Sequence, residues 1–169
     1  MDTVDRELLG RLALSAHESM DEVRRLAREL RPEALDDLGL GNALITLCRR
    51  MGTEGGVRVE HHLQPGMPAL SPEAELVLYR VAQEAITNAV RHARASRIDL
   101  TLGRTADDVE LTVADDGVGI PDTAELDTHG IAGMRERALL AGGRLTLSSG
   151  PEEGTRVCLL LPLDGAAAG

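Results

Sequence analysis

At 169 residues, 43% hydrophobic and 27% charged, the chain has the composition of an ordinary globular protein, long enough for one domain with a core plus an appended helix. Phe and Trp are absent, Tyr79 is the only aromatic and the net charge is -10, which excludes base stacking on aromatic platforms and argues against direct contact with a nucleic-acid backbone. All 18 basic residues are arginine, so a bound triphosphate would have to be neutralised locally, by a metal and backbone amides, rather than by the overall field.

Residues 5–30 predict a long amphipathic helix, because Leu9, Leu12, Ala16, Met20, Val23, Ala27 and Leu30 recur at three- and four-residue steps. Arg31-Pro32 breaks that pattern, and a short helix over roughly 39–51, stopped by Gly52, follows. From Val57 the period changes to two through Val59, His61 and Leu63, which predicts a strand closed by Gln64-Pro65-Gly66. Ser71-Pro72-Glu73 has the chemistry of a helix start, with a helix expected from about 72 to 94. Strands around 98–102 and 109–113, joined by a polar turn, suit a hairpin. A glycine-rich loop over 116–130 leads to a helix over roughly 131–141, stopped by Gly142-Gly143. Strands at 145–149 and 156–161 make a second hairpin, and 165–169 is expected to fray. Helices and strands mix without the strict alternation of a parallel sheet, so the fold class is α+β, a two-layer α/β sandwich with helices on one face. Cys48 and Cys158 stand in apolar contexts and read as two reduced core thiols. With no signal peptide and no uninterrupted apolar run of about 18 residues, a cytoplasmic location without membrane contact is expected.

Four blocks carry chemistry. Glu84, Asn88 and His92 fall at i, i+4 and i+8 of the helix after Ser71, and Arg91 and Arg94 follow on its last turn. A carboxylate, an amide, an imidazole and guanidinium groups suit Mg²⁺ and phosphate, although any solvent-facing helix side shows such spacing. Asp115-Asp116-Gly117-Val118-Gly119 comes directly after a strand, where glycines permit a close backbone approach and Asp115 can accept from an exocyclic amine; a plain turn is the rival reading. His129-Gly130-Ile131-Ala132-Gly133 leads into a helix whose N-terminal amides can hold an anion, and Gly154-Thr155 opens the last strand. Each block alone could be turn chemistry. In this order and at these intervals, turn chemistry does not account for them.

The four blocks resemble the N, G1, G2 and terminal glycine-threonine boxes of the ATPase superfamily shared by gyrase, Hsp90, histidine kinases and MutL. The N-box match runs from Glu84 through Asn88 to Ala93. More narrowly, Gly133-Met134-Arg135-Glu136-Arg137-Ala138, Gly142-Gly143, Leu30-Arg31-Pro32 and Leu38-Gly39-Leu40 resemble the nitrate-sensor and DesK-like branch of sensor histidine kinases.

The resemblance implies a Bergerat-type ATP-binding fold over 32–164, preceded over 1–31 by the second helix of a dimerisation and phosphoacceptor domain. It implies ATP and Mg²⁺ as ligands, with Asn88 on the metal, Arg91 and His92 near phosphates and ribose, and Asp115 on the adenine amine. Gly117, Gly119, Gly130 and Gly133 would line the pocket and its lid, and Thr155 would support adenine through water. Glu84 stands where relatives keep a general base, to orient a water or the incoming nucleophile. The activity implied is transfer of the ATP γ-phosphate to a histidine on a helix outside this chain. The implied partners are a response regulator with a helix-turn-helix output and, in the full-length protein, a second copy. His17-Glu18 mimics the family's acceptor pair, but stands too close to Leu30-Arg31-Pro32 to leave room for the rest of a helical hairpin. Two alternatives remain at this level, a serine kinase of the anti-sigma-factor type and a nucleotide-gated binding module without transfer activity.

Overall fold

The computed structural model describes residues 32–120, 128–150 and 153–163. The expected helix over 5–30, His17, the segment 121–127 and the tail lie outside the described residues. Helix α1 (Glu33–Gly55) starts directly after Pro32 and kinks at Gly39, where φ is 71°. It runs past the expected stop at Gly52 to end on Gly56 in the left-handed region. From the kink onward Leu40, Ala43, Leu44, Leu47 and Cys48 form one buried stripe at helical spacing. Strand β1 (Arg58–Leu63) follows.

Helix α2 (Pro72–Asn88) is started as the sequence dictates. The Ser71 hydroxyl accepts from the Ala74 amide at 3.2 Å, Pro72 occupies the first turn, and Glu73 and Glu75 face the positive end of the helix dipole. The single helix expected to 94 is corrected at its end. Residues Ala89–Ala93 form a π turn, and Arg94 closes it at φ 52°. An α-helical periodicity cannot show one wide turn, because the same residues stay apolar on the same side.

Strands β2 (Arg97–Arg104), β3 (Asp108–Asp115), β4 (Arg144–Gly150) and β5 (Gly154–Pro162) complete a five-stranded sheet of order β1-β2-β3-β5-β4. Only β1 and β2 are parallel, with α2 as their crossover, and the remaining pairs are antiparallel. Strand alternation decides which face is covered: Ile98, Leu100, Leu102, Val109, Leu111, Val113, Val157, Leu159 and Leu161 are buried. They meet Leu44 and Leu47 of α1, Leu78, Ala82 and Ile86 of α2, and Met134 and Ala138 of helix α3 (Thr128–Leu140) in one aliphatic core. Tyr79 is the sole aromatic in it. Each fully buried Leu or Ile contributes about 1.5–3 kcal/mol. The other sheet face stays polar, with Arg97 bridging Glu60 and Asp99 at 2.8 Å and Arg58 holding Glu60 at 2.6 Å.

Two further expectations are corrected. Helix α3 begins at Thr128 rather than 131, so Gly130 lies inside its first turn and not in a preceding loop. Of the two cysteines only Cys48 is buried, its thiol pushed up to about 11 by burial, while Cys158 is half-buried on the polar face of the sheet.

Candidate functional site

Between α2, the end of β3 and β5 lies a cavity of about 510 Å³. Ala85, Ala89, Val113, Met134, Leu147 and Val157 make its apolar walls, while Asn88, His92, Arg94, Asp115 and Thr155 bring polar groups into it. An apolar slot of this size with a few convergent polar groups is the usual form of a small-molecule site. Small alanines leave the room: Ala85 of α2 and Ala89 at the start of the π turn stand where larger side chains would fill it.

Asp115 ends β3 half-buried in the wall. Its Oδ1 accepts from the Gly117 amide at 2.9 Å and from the Thr155 amide at 3.3 Å. Oδ2 has no protein partner among the described residues, while the bonds to Oδ1 fix the carboxylate in place. Burial pushes the carboxyl above the ordinary aspartate range, the two amides pull it back, and the neighbouring Asp116 adds to the rise.

Two positioning roles escape the sequence reading, that of Asp116 within the block it did single out and that of Ser149. Asp116 turns away from the cavity and accepts from the Ser96 amide at 2.8 Å, the Ser96 hydroxyl at 2.5 Å and the Arg97 amide at 2.9 Å. The bonds from Ser96 and Arg97 hold its carboxyl below the ordinary range, and they tie the chain after the π turn to the glycine loop. The Ser149 hydroxyl accepts from the Ile120 amide at 2.8 Å, donates to the Gly154 carbonyl at 3.0 Å and lies 3.2 Å from the Thr155 hydroxyl. Both act across 19 or more residues of sequence or in an unremarkable strand position, so only a hydrogen-bond map finds them.

Gly119 has φ 72°, and a side chain on it would overlap the Gly150 carbonyl. Gly117 packs on Ala93, whose carbonyl accepts from the Val118 amide at 2.9 Å. Glu84 does not line the cavity but sits beside Gly130, which comes so close that any side chain there would meet the Glu84 carboxylate and lie 3.6 Å from the Asn88 amide. The structure thus brings Glu84, Asn88 and Gly130 together at one end of the cavity and Asp115, Gly119 and Thr155 at its wall. Arg91 is exposed and outside the lining, and Gly133 lies along α3 beside Arg137. The side chains of Glu84 and Asn88 have no hydrogen-bond partner among the described residues, and hard oxygen donors of this kind fit Mg²⁺ shared with phosphate. A separate group, Glu60, His62 and Asp99, has potential ligand atoms within 4.8 Å on the open sheet face. Arg58 and Arg97 already hold its carboxylates, so it is an ion-pair ladder.

Residues 73–165 match the family described as Histidine kinase-, DNA gyrase B-, and HSP90-like ATPase, and the chain belongs to that family, as an ATP-binding region of the histidine kinase type. It is 39% identical over 157 residues to the signal transduction histidine-protein kinase/phosphatase UhpB of Salmonella typhimurium, covering 92% of this chain and 30% of that protein. It is 35% identical over 146 residues to the oxygen sensor histidine kinase NreB of Staphylococcus carnosus, covering 85% of this chain and 42% of that one. The chain therefore spans less than half of these relatives. Among solved structures, the histidine kinase domain of a blue-light activated kinase from Erythrobacter litoralis superposes with a TM-score of 0.66 at 25% identity, over 75% of this chain and 62% of that chain. Full-length ShkA in complex with AMPPNP shares the fold, with a TM-score of 0.63 at 21% identity over 77% of this chain and 30% of that chain. Among the described residues no helix is long and apolar enough to cross a membrane.

Proposed function

We propose that this chain binds Mg-ATP in the cavity beneath α2 and presents the γ-phosphate to a histidine of a protein helix, for relay to a response regulator. The observation that carries the reading is Asp115, with one carboxylate oxygen locked by two backbone amides and the other left to accept from the adenine amine. Thr155 supports the same edge of the base through water, and Gly117 and Gly119 let the loop backbone approach it. At the other end Asn88 offers its amide oxygen to the metal, Glu84 orients the incoming nucleophile, His92 reaches the ribose, and Arg91 reaches the phosphates from the solvent side. Gly130 leaves the first turn of α3 open toward them, and Gly133 extends that surface. Magnesium, when bound, supplies neutralisation of phosphate charge. The protein's own part is positioning and exclusion of water, the terms that dominate phosphoryl transfer. In the full-length protein, a homodimer presents the acceptor helix.

The test supplies the chain with radiolabelled Mg-ATP and a separate helical hairpin carrying an acceptor histidine from a related kinase. Acid-labile label on the hairpin is expected, and its loss with Asn88→Ala at unchanged thermal midpoint. Equal labelling by that variant would remove Asn88 from the metal site, and label on serine instead of histidine would replace the histidine kinase reading.

A further inference from the structure

Among the described residues Arg94 is the one non-glycine with positive φ, at 52°. The left-handed region is open to glycine and disfavoured for any residue with a β-carbon, so an arginine there lowers stability. Its backbone is fixed from both sides: the Ala93 carbonyl accepts from the Val118 amide at 2.9 Å, and Asp116 holds the amides of Ser96 and Arg97 at 2.8 and 2.9 Å. The chain must turn at this point to pass from the π turn into β2, and a helix end of this shape is where glycine is the common choice.

Arg94 also lines the cavity, and among the described residues it is the arginine that does so. Arg58 and Arg97 are spent on carboxylates of the open sheet face, whereas Arg94 has no carboxylate partner among the described residues. The same lining carries the carboxylate of Asp115, and the Glu84 carboxylate lies outside it, next to Gly130. Beyond what a bound metal neutralises, a polyanionic ligand in such a site is favoured by a cation in the lining, and a guanidinium matches phosphate oxygens in a bidentate way.

We propose that Arg94 is a phosphate contact of the bound nucleotide, held as arginine at a backbone position that favours glycine, so that affinity is gained where stability is lost. The proposal rests on the reading that the cavity takes ATP. It separates two quantities that a purely structural residue would move together.

Arg94→Gly, Arg94→Lys and the unaltered chain are titrated with Mg-ATP by calorimetry and with adenosine by NMR, and their thermal midpoints are measured without ligand. Arg94→Gly is expected to raise the midpoint by about 2–5 °C while weakening ATP roughly 10-fold or more and leaving adenosine within about 2-fold. Arg94→Lys keeps the charge and the strain, and should retain most of the ATP affinity at an unchanged midpoint. Equal ATP affinity in Arg94→Gly, or an equal loss for ATP and adenosine, overturns the phosphate contact. An unaltered chain that binds neither ligand overturns the ATP reading of the cavity and this proposal with it, whereas ATP binding that survives Arg94→Gly at full strength leaves that reading standing and removes Arg94 alone.

Discussion

Asp115 and Asp116 are neighbours at the end of β3 with opposite pKa shifts, and the direction of each follows from what surrounds it. Asp115 is raised, mainly by burial, so its ionised form is disfavoured in the unliganded fold. Its contribution to stability is greatest when protonated and is lost as pH rises through the raised folded value. The role proposed for Asp115 requires the opposite state, because a carboxylate with both oxygens as acceptors can hold the two amides and receive an amine as well. ATP affinity should therefore begin to fall on acidification while the pH is still above the ordinary aspartate range. Calorimetry at a series of pH values checks this; a flat profile down to that range would contradict it. Asp116 is lowered, chiefly by its bonds from Ser96 and Arg97, so its contribution is present above the unfolded value and lost as pH falls through the folded one. Asp116→Ala should lower the thermal midpoint at neutral pH, and the difference from the unaltered chain should shrink in acid. A midpoint difference independent of pH would assign the effect to something other than this carboxylate.

The glycine loop after β3 is built as a template rather than as a flexible connection. Gly119 takes φ 72° against the Gly150 carbonyl, and the next residue, Ile120, is tied by its amide to Ser149 at 2.8 Å. Gly119→Ala combines an unfavourable φ with a backbone collision, a cost of about 1–3 kcal/mol, and should weaken ATP together with stability. Retained affinity at a lowered midpoint, measured by calorimetry and thermal melting, would show that the loop wall does not shape the site. Legibility in sequence divides along the same lines. The alternation Ile98, Leu100, Leu102 and the cap Ser71-Pro72-Glu73 are local patterns, and each strand and helix they predict is present. Less local features stay hidden: the π turn at Ala89–Ala93 keeps an α-helical pattern of apolar residues, and the parallel pairing of β1 with β2 depends on a crossover that periodicity does not report. The start of helix α3 at Thr128 is hidden as well, because Thr128, His129 and Gly130 carry no apolar signal.

Across the whole molecule, an aliphatic core under one face of a mixed sheet leaves a single row of small residues, Ala85, Ala89 and Ala93, where a larger side chain would close the cavity. Asp115, Asn88, His92, Gly119 and Thr155 stand out in sequence because each sits in a dense local block, and all of them line that space. Ser149 does not, since it is marked only by hydrogen bonds across the hairpin, and for Arg94, whose charge the sequence does place on the last turn of the helix, the hidden part is the backbone angle. The central claim is that this cavity holds adenine through the free oxygen of Asp115. Titration of Mg-ATP into the chain and into Asp115→Asn tests it most directly, because the substitution keeps the size of the side chain and exchanges an acceptor for a donor. Saturable binding is expected, about 5- to 150-fold weaker in the variant, as an unpaired buried amine forfeits roughly 1–3 kcal/mol. Equal affinity in the two proteins would contradict the account.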